Sequence, residues 1–341
     1  MRETLKQWAK EEVNIWSQEA SFSSECVNDS LSSYRIFLEC VNENTKDIFI
    51  FSFSKGDVHI SPKRNPHTSV AAGSLEAVRL PLYVNFLKNV ILQVPHLPEF
   101  SIALCIGDMV AFDSRFPVFC FQKNVRSNLM LIPDPDFLQY NFYQEKPEDE
   151  KFEDKLDQVI FCGSSTGGIM TDRDIINDNT DRLYLCNEFI GNKDIKVRIG
   201  AAVQCLSEDG AELLRKKPYF ERILWDEQIK CRYILSIDGN GATCSRIVLT
   251  LRSQSLLLKY RSEQQLYYFR GLRPFEHFVP IDNAEDLKLQ YSRLKNGEIE
   301  TKKMIRNANN FYDDYLGKSS VEYYTACLLE SFYYYYVSKL K

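Results

Sequence analysis

The residues of this chain that could do chemistry gather at the ends of apolar runs. In CRYILSIDGNGATCSRIVLTLRSQSLLLKYRS (231–262) an apolar strand runs into a loop with two glycines and then into an apolar-faced helix. That is the layout of a phosphate cradle. Within Asp238, Gly239, Asn240, Gly241, Ala242 and Thr243, the glycines allow close backbone approach, while Thr243 or Ser245 can cap the helix whose first N–H groups attract anions. Arg246, in the first turn, adds a guanidinium suited to a diphosphate. A second loop, Gly163, Ser164, Ser165 and Thr166, offers hydroxyls and N–H groups to phosphate or ribose, although a loop of this composition also serves as a plain turn. Arg182 either reaches the same anion or pairs at the surface with Asp181 or Glu188.

Other candidates are carboxylates and a histidine. Asp108 ends the apolar run SIALCIG, which sets it at the carboxyl edge of a sheet as a potential base; a Gly-Asp pair equally suits a turn cap, and Asp113 is a nearby rival. Asp134-Pro135-Asp136 has the spelling of a metal-binding Asp-x-Asp, but Pro133 and Pro135 favour a turn. His277, between Phe275 and Phe278, reads as a satisfied core residue. The four histidines are far apart, and the ten cysteines show no CxxC pair or zinc-finger spacing, so no metal site is expected and the thiols read as small buried hydrophobes.

These residues need strands and helices to hold them. The first 20 residues read as a helix, IFIFSFS as a buried strand, SLEAVRLPLYVNFLKNVI as a helix, and FSIALCIGD and FPVFCFQK as further strands. From Pro133 to Asp157 prolines, acids and aromatics break this alternation. Beyond it the alternation resumes with the strand DQVIFCG, the helix DRLYLCNEFI and the strand VRIGAAVQ, which implies parallel sheets. After Pro280 the chain reads as helical, with Tyr323, Tyr324, Leu328, Phe332 and Tyr335 spaced to form one packed face. The divisions expected are 1–150, 151–300 and a helical extension at 301–341. A length of 341 residues suits two lobes, and a net charge of −5 argues against a nucleic-acid partner. No run is long and apolar enough for a membrane span, and the charged N-terminus does not resemble a leader, so a cytoplasmic location is expected. The tyrosine run 333–336 leaves room for peripheral contact at the inner face of a membrane.

The words SIDGNGATCSR, SLLLKYRS and YYFRGLRPFEHFVPI resemble, in order and spacing, the signature region of glycosyltransferase family 90, which includes protein O-glucosyltransferases, capsule xylosyltransferases and bacterial lipopolysaccharide-type enzymes. FCGSSTGG, DRLYLCNEF and the IGD at 106–108 resemble further pieces, so that the likeness runs from about Ser101 to Asp286. It implies an α/β fold of GT-B type, two facing Rossmann-like lobes with the nucleotide sugar held by the C-terminal one. It also implies an inverting transfer that needs no metal, with Asp108 as the base. Lys259, Tyr260 and Glu263 then stand where donor sugar or ribose would be touched, with Glu263 the choice for a ribose hydroxyl. UDP-glucose, UDP-galactose or UDP-xylose is the implied donor, and a glycan or glycolipid the acceptor. Many relatives begin the first loop with Arg-Gly where Cys162-Gly163 stands here, and eukaryotic members place an arginine at Ser165; this shifts phosphate neutralisation onto Arg246. Without the secretory signals of those members, the chain reads as bacterial in type. A sugar kinase and a non-catalytic glycan-binding protein are the competing readings; neither GxxxxGK[ST] nor an HRD-to-DFG order supports the kinase.

Overall fold

The structure, a computed structural model, describes residues 1–19, 47–61, 74–108, 117–145 and 148–340. The chain forms two compact units. The first comprises Met1–Gln144, Gln265–Phe269 and Asp314–Lys341, and the second Glu145–Gln264 and Arg270–Asp313.

The first unit contains α1 (Arg2–Glu19), β1 (Ile48–Ser54), β2 (Asp57–Ile60), α2 (Leu75–Ile91), β3 (Phe100–Cys105), β4 (Val118–Cys120), β5 (Met130–Leu131), α3 (Pro135–Gln139) and, from the far end of the chain, α11 (Lys318–Tyr335). Its sheet has the order β2-β1-β3-β4-β5. The parallel arrangement expected from alternating strands and helices holds only for β3, β4 and β5. β1 is antiparallel to both β2 and β3. For β1 and β2 the cause is local: Lys55 (φ 49°) and Gly56 (φ 78°) make a two-residue turn with positive φ at both positions, the geometry that joins twisted antiparallel strands. α1 is tied to the far edge through the buried Glu12, which accepts from the equally buried Lys123 and from the Leu131 N–H at 3.0 Å.

α11 lays an aromatic face on this unit. Phe332 meets Phe119 edge-on at 5.1 Å, Tyr333 meets Phe100 at 5.6 Å, and Tyr324 donates to the Leu131 carbonyl. One residue of the expected face is misplaced, because Tyr335 is exposed where Tyr333 and Tyr336 are buried. The Asp134-Pro135-Asp136 turn is the start of α3: Asp134 is its N-cap, accepting from the Asp136 N–H, with Pro135 in the first turn. Burial, helped by Asp136, pushes the Asp134 carboxyl well above its ordinary range. No helix among the described residues is long and apolar enough to cross a membrane.

The second unit contains β6 (Leu156–Ser164), α4 (Asp172–Ile176), α5 (Asp181–Glu188), β7 (Ile195–Ala201), α6 (Glu208–Arg215), α7 (Trp225–Gln228), β8 (Cys231–Ser236), α8 (Cys244–Leu251), β9 (Leu256–Tyr260), β10 (Val279–Ile281), α9 (Ala284–Lys295) and α10 (Thr301–Tyr315), whose last two residues fall in the first unit. Its strands run in the order β10-β9-β8-β6-β7 and every pair is parallel. Val159, Phe161, Val197, Ile199, Tyr233, Leu235, Leu256 and Leu258 supply one apolar layer to the core. Because β6 connects outward to β7 whereas β8 connects the other way to β9, the loops leaving β6 and β8 diverge. Neighbouring parallel strands whose loops diverge open a crevice at their carboxyl ends.

Candidate functional site

Both glycine loops of the sequence leave the strands at that crevice, and one side chain locks them together. Arg182, early in α5, is 5% exposed. Its Nε donates to the Asp238 carbonyl (2.9 Å), Nη2 to the Ile237 carbonyl (2.8 Å), and Nη1 to the Ser164 carbonyl (2.6 Å) and the Thr166 hydroxyl (2.7 Å). The loop after β6 and the loop after β8 thus share one guanidinium. The surface pairings considered for Arg182 are absent, since Asp181 meets Arg261 and Glu188 meets Lys288.

The glycines follow from this packing. A Cβ on Gly239 would lie 2.4 Å from the Thr166 Oγ1 and 2.8 Å from the Arg182 Nη2, and one on Gly163 would lie 2.8 Å from the Phe161 ring. Close packing, rather than positive φ, fixes both positions as glycine. Further along the first loop Gly167 (φ 140°) does need its conformation, and its N–H reaches the Asn240 and Gln204 side chains at 3.2 Å each. Asn240 is therefore a second tie between the loops. The Gly239 N–H closes the other loop on the Gly241 carbonyl at 3.0 Å.

Arg246 takes a comparable position from the first turn of α8. Its Nη1 donates to the Gln228 Oε1 (2.8 Å) and its Nη2 to the Cys162 carbonyl (2.6 Å), with the guanidinium carbon 4.8 Å from the Phe161 ring centre and 5.5 Å from that of Trp225. Arg182 lies 5.3 Å from the same Phe161 ring. Burial pushes each guanidinium down to about 10, and for Arg246 repulsion from Arg182 adds to it. All the hydrogen-bond acceptors of these two arginines are neutral carbonyls, an amide or a hydroxyl. Two positive charges thus lie by one aromatic ring with no carboxylate hydrogen-bonded to either, Asp238 acting on Arg182 only through space.

The remaining candidates divide by exposure. Asp238 accepts from the Ser262 hydroxyl; burial raises its carboxyl, opposed by Ser262, Lys259 and Arg182. Burial lowers the half-buried Lys259, opposed by Asp238. Ser164 and Thr166 are half-buried, with their hydroxyls 3.3 Å apart. Ser165 does not fit a ligand-binding role: it is 1% exposed, and its hydroxyl donates to the Val203 carbonyl and accepts the Val203 N–H. Tyr260 is likewise a core residue, 2% exposed, and Gly241 and Ala242 are buried in the turn. Glu263 is exposed. Thr243 occupies the N-cap of α8 without capping it, its hydroxyl shared with Ser236, and Ser245 lies inside the helix. His277 is a satisfied core residue, its Nδ1 accepting the Arg273 N–H at 2.9 Å and its ring against Phe311.

Asp108 belongs to the first unit. It follows β3 with its side chain 38% exposed, and its Oδ1 accepts from Arg79 Nη2 at 2.7 Å while Arg79 Nη1 holds the Ile106 carbonyl. The Gln122 amide donates to the Asp108 carbonyl. Asp113 lies outside the described residues.

Sequence reasoning missed Gln228, Trp225, Phe161, Ser262 and Arg79. Ser262 had a usable signal, two residues beyond a strand end already singled out. Gln228 and Trp225 sit in a one-turn helix whose residue types carry no chemistry until Arg246 is placed beside them.

The model of Glycosyl transferase family 90 matches residues 114–340. No curated protein matches the chain. The matched span contains both glycine loops, Arg182 and Arg246, and begins after Asp108.

Proposed function

The chain belongs to Glycosyl transferase family 90, and from that premise we propose that it moves a hexose or pentose from a UDP-sugar to a hydroxyl of a glycan acceptor, with inversion and without a metal ion. The observation that carries the donor half is the pair of guanidiniums at the crevice, Arg182 and Arg246, whose contacts are all to neutral groups. A diphosphate leaving group supplies the missing negative charge. Arg246 and the N-terminal end of α8, which the Thr243 side chain does not cap, would stabilise that charge as it grows, and Lys259 adds a third cation.

Chemically, the acceptor oxygen attacks the anomeric carbon as its proton passes to a carboxylate, and the bond from that carbon to the diphosphate oxygen breaks with its electron pair going to UDP. Asp108 is our candidate for the carboxylate, supported by its place at the end of β3 and its partial exposure. Ser164 and Thr166 supply donors to the phosphates or ribose, and the exposed Glu263 an acceptor for a ribose hydroxyl. The GT-B architecture, division at 150 and 300, a bacterial surface glycan such as lipopolysaccharide as acceptor, and a cytoplasmic site of action complete the proposal. The architecture and the acceptor class rest on the resemblance, and the all-parallel sheet of the second unit supports the architecture.

Thermal melting in a panel of UDP-, GDP- and CMP-sugars tests the reading. A ligand that binds the folded state alone stabilises it by RT ln(1 + [L]/Kd), about 2.7 kcal/mol at a hundredfold excess over Kd. A shift with UDP-sugars, and release of UDP that survives excess EDTA, is expected. Turnover of ATP instead would favour a kinase, and no response to any nucleotide a binding protein.

A further inference from the structure

Gln228 is 3% exposed, and all four positions of its amide are occupied. The Oε1 accepts the Cys162 N–H (3.0 Å) and Arg246 Nη1 (2.8 Å), while Nε2 donates to the carbonyls of Ile223 (2.9 Å) and Cys162 (3.3 Å). Arg246 closes the ring by donating to the same Cys162 carbonyl. The backbone N–H and carbonyl of one β6 residue, one side-chain amide and one guanidinium form a closed network, with the guanidinium beside the rings of Phe161 and Trp225.

We infer that Gln228 is a positioning residue that fixes Arg246 for the donor's diphosphate without cancelling its charge. The usual partner of a half-buried arginine is a carboxylate, which would hold the guanidinium equally well and leave little net field for an incoming anion. An amide oxygen fixes the geometry and leaves the full positive charge in place. Both Nε2 donors are also needed, since a carboxylate at 228 would set an oxygen against two backbone carbonyls. The closed ring makes the arginine's orientation a property of the unliganded protein, so that binding the anion requires less ordering of a long side chain.

This inference rests on the donor reading, and the test separates the two. Titrations of the full chain with UDP and with uridine, which lacks the phosphates, are compared for wild type, Gln228→Met and Gln228→Glu. Gln228→Met keeps the length and removes the acceptor. It is expected to weaken UDP about tenfold, the scale of one hydrogen bond to a charged group, and to leave uridine within about twofold. Gln228→Glu is expected to weaken UDP further, because its charge competes with the phosphates. If UDP and uridine fall together, or neither changes, Gln228 has no special relation to the diphosphate and the inference is overturned. The same holds if Gln228→Glu binds UDP more tightly than Gln228→Met. Should one variant not fold, the UDP-to-uridine ratio of the other decides alone. Absence of UDP binding by the folded wild type would overturn the donor reading, and this inference with it.

Discussion

Two sheet edges carry the chemistry proposed for this chain, and they are built on opposite principles. At the ends of β6 and β8 the arginines are drawn into the protein and satisfied by neutral oxygens, mostly backbone carbonyls; Arg182 alone makes four hydrogen bonds to two loops. At the end of β3, Asp108 is more than a third exposed and held through one oxygen by Arg79. The first arrangement resists deformation, because moving either loop strands a buried donor or carbonyl. The second constrains a carboxylate lightly and leaves it open to solvent. A site that must stabilise charge benefits from fixed dipoles, whereas a group that must take up a proton has to meet its partner.

The largest expected effect tests the lightly held end. Asp108→Asn keeps the size and the contact with Arg79 but cannot take up the proton, so kcat is expected to fall by about 10²–10⁴ with UDP-sugar binding nearly unchanged. Steady-state transfer assays with UDP titrations check both parts, with Asp113→Asn as the rival. If Asp113→Asn abolishes transfer while Asp108→Asn keeps more than about a tenth of the rate, the base is not Asp108.

The rigid end gives the next effect in size. Arg246→Ala removes a charge whose contacts are all neutral, and is expected to weaken UDP by about 2–4 kcal/mol, the range for truncating a charged partner in a desolvated site. Unchanged affinity in a folded variant would show that the diphosphate lies elsewhere.

The same contrast explains what the sequence could disclose. Apolar runs ending in glycine pairs located β6, β8 and the loops after them, because tight packing at a parallel-sheet terminus leaves residues of recognisable type. It could not tell that Ser165 turns inward to Val203 while its neighbours Ser164 and Thr166 stay half-exposed, since three consecutive hydroxyls look alike until the loop is closed. Nor could it disclose Gln228, which matters only through Arg246 and Cys162, 18 and 66 residues away. In the first unit the two-residue turn at Lys55-Gly56 made β1 and β2 an antiparallel hairpin where parallel strands were expected. Its left-handed backbone is set by a single glycine and a lysine that does not advertise it.

The smallest expected effects compare two glycines, one from each unit. Gly239→Ala places a methyl 2.4 Å from the Thr166 Oγ1 and 2.8 Å from the Arg182 Nη2, so the shared guanidinium or a loop must shift; overpacking of this kind costs about 1–3 kcal/mol. Because the shifted groups are those around the proposed diphosphate, UDP affinity is expected to drop along with stability. Gly56→Ala meets only Leu92 at an ordinary 3.5 Å, and its cost comes from the positive φ alone, about 1 kcal/mol. That loss sits in the hairpin of the first unit and is expected to leave UDP affinity unchanged. Urea unfolding of both variants, with UDP titrations beside it, separates the two sources of strain. Equal losses of UDP affinity would mean that Gly239 acts through general stability, and that the interlocked loops around Arg182 are no more specific to the ligand than a remote turn.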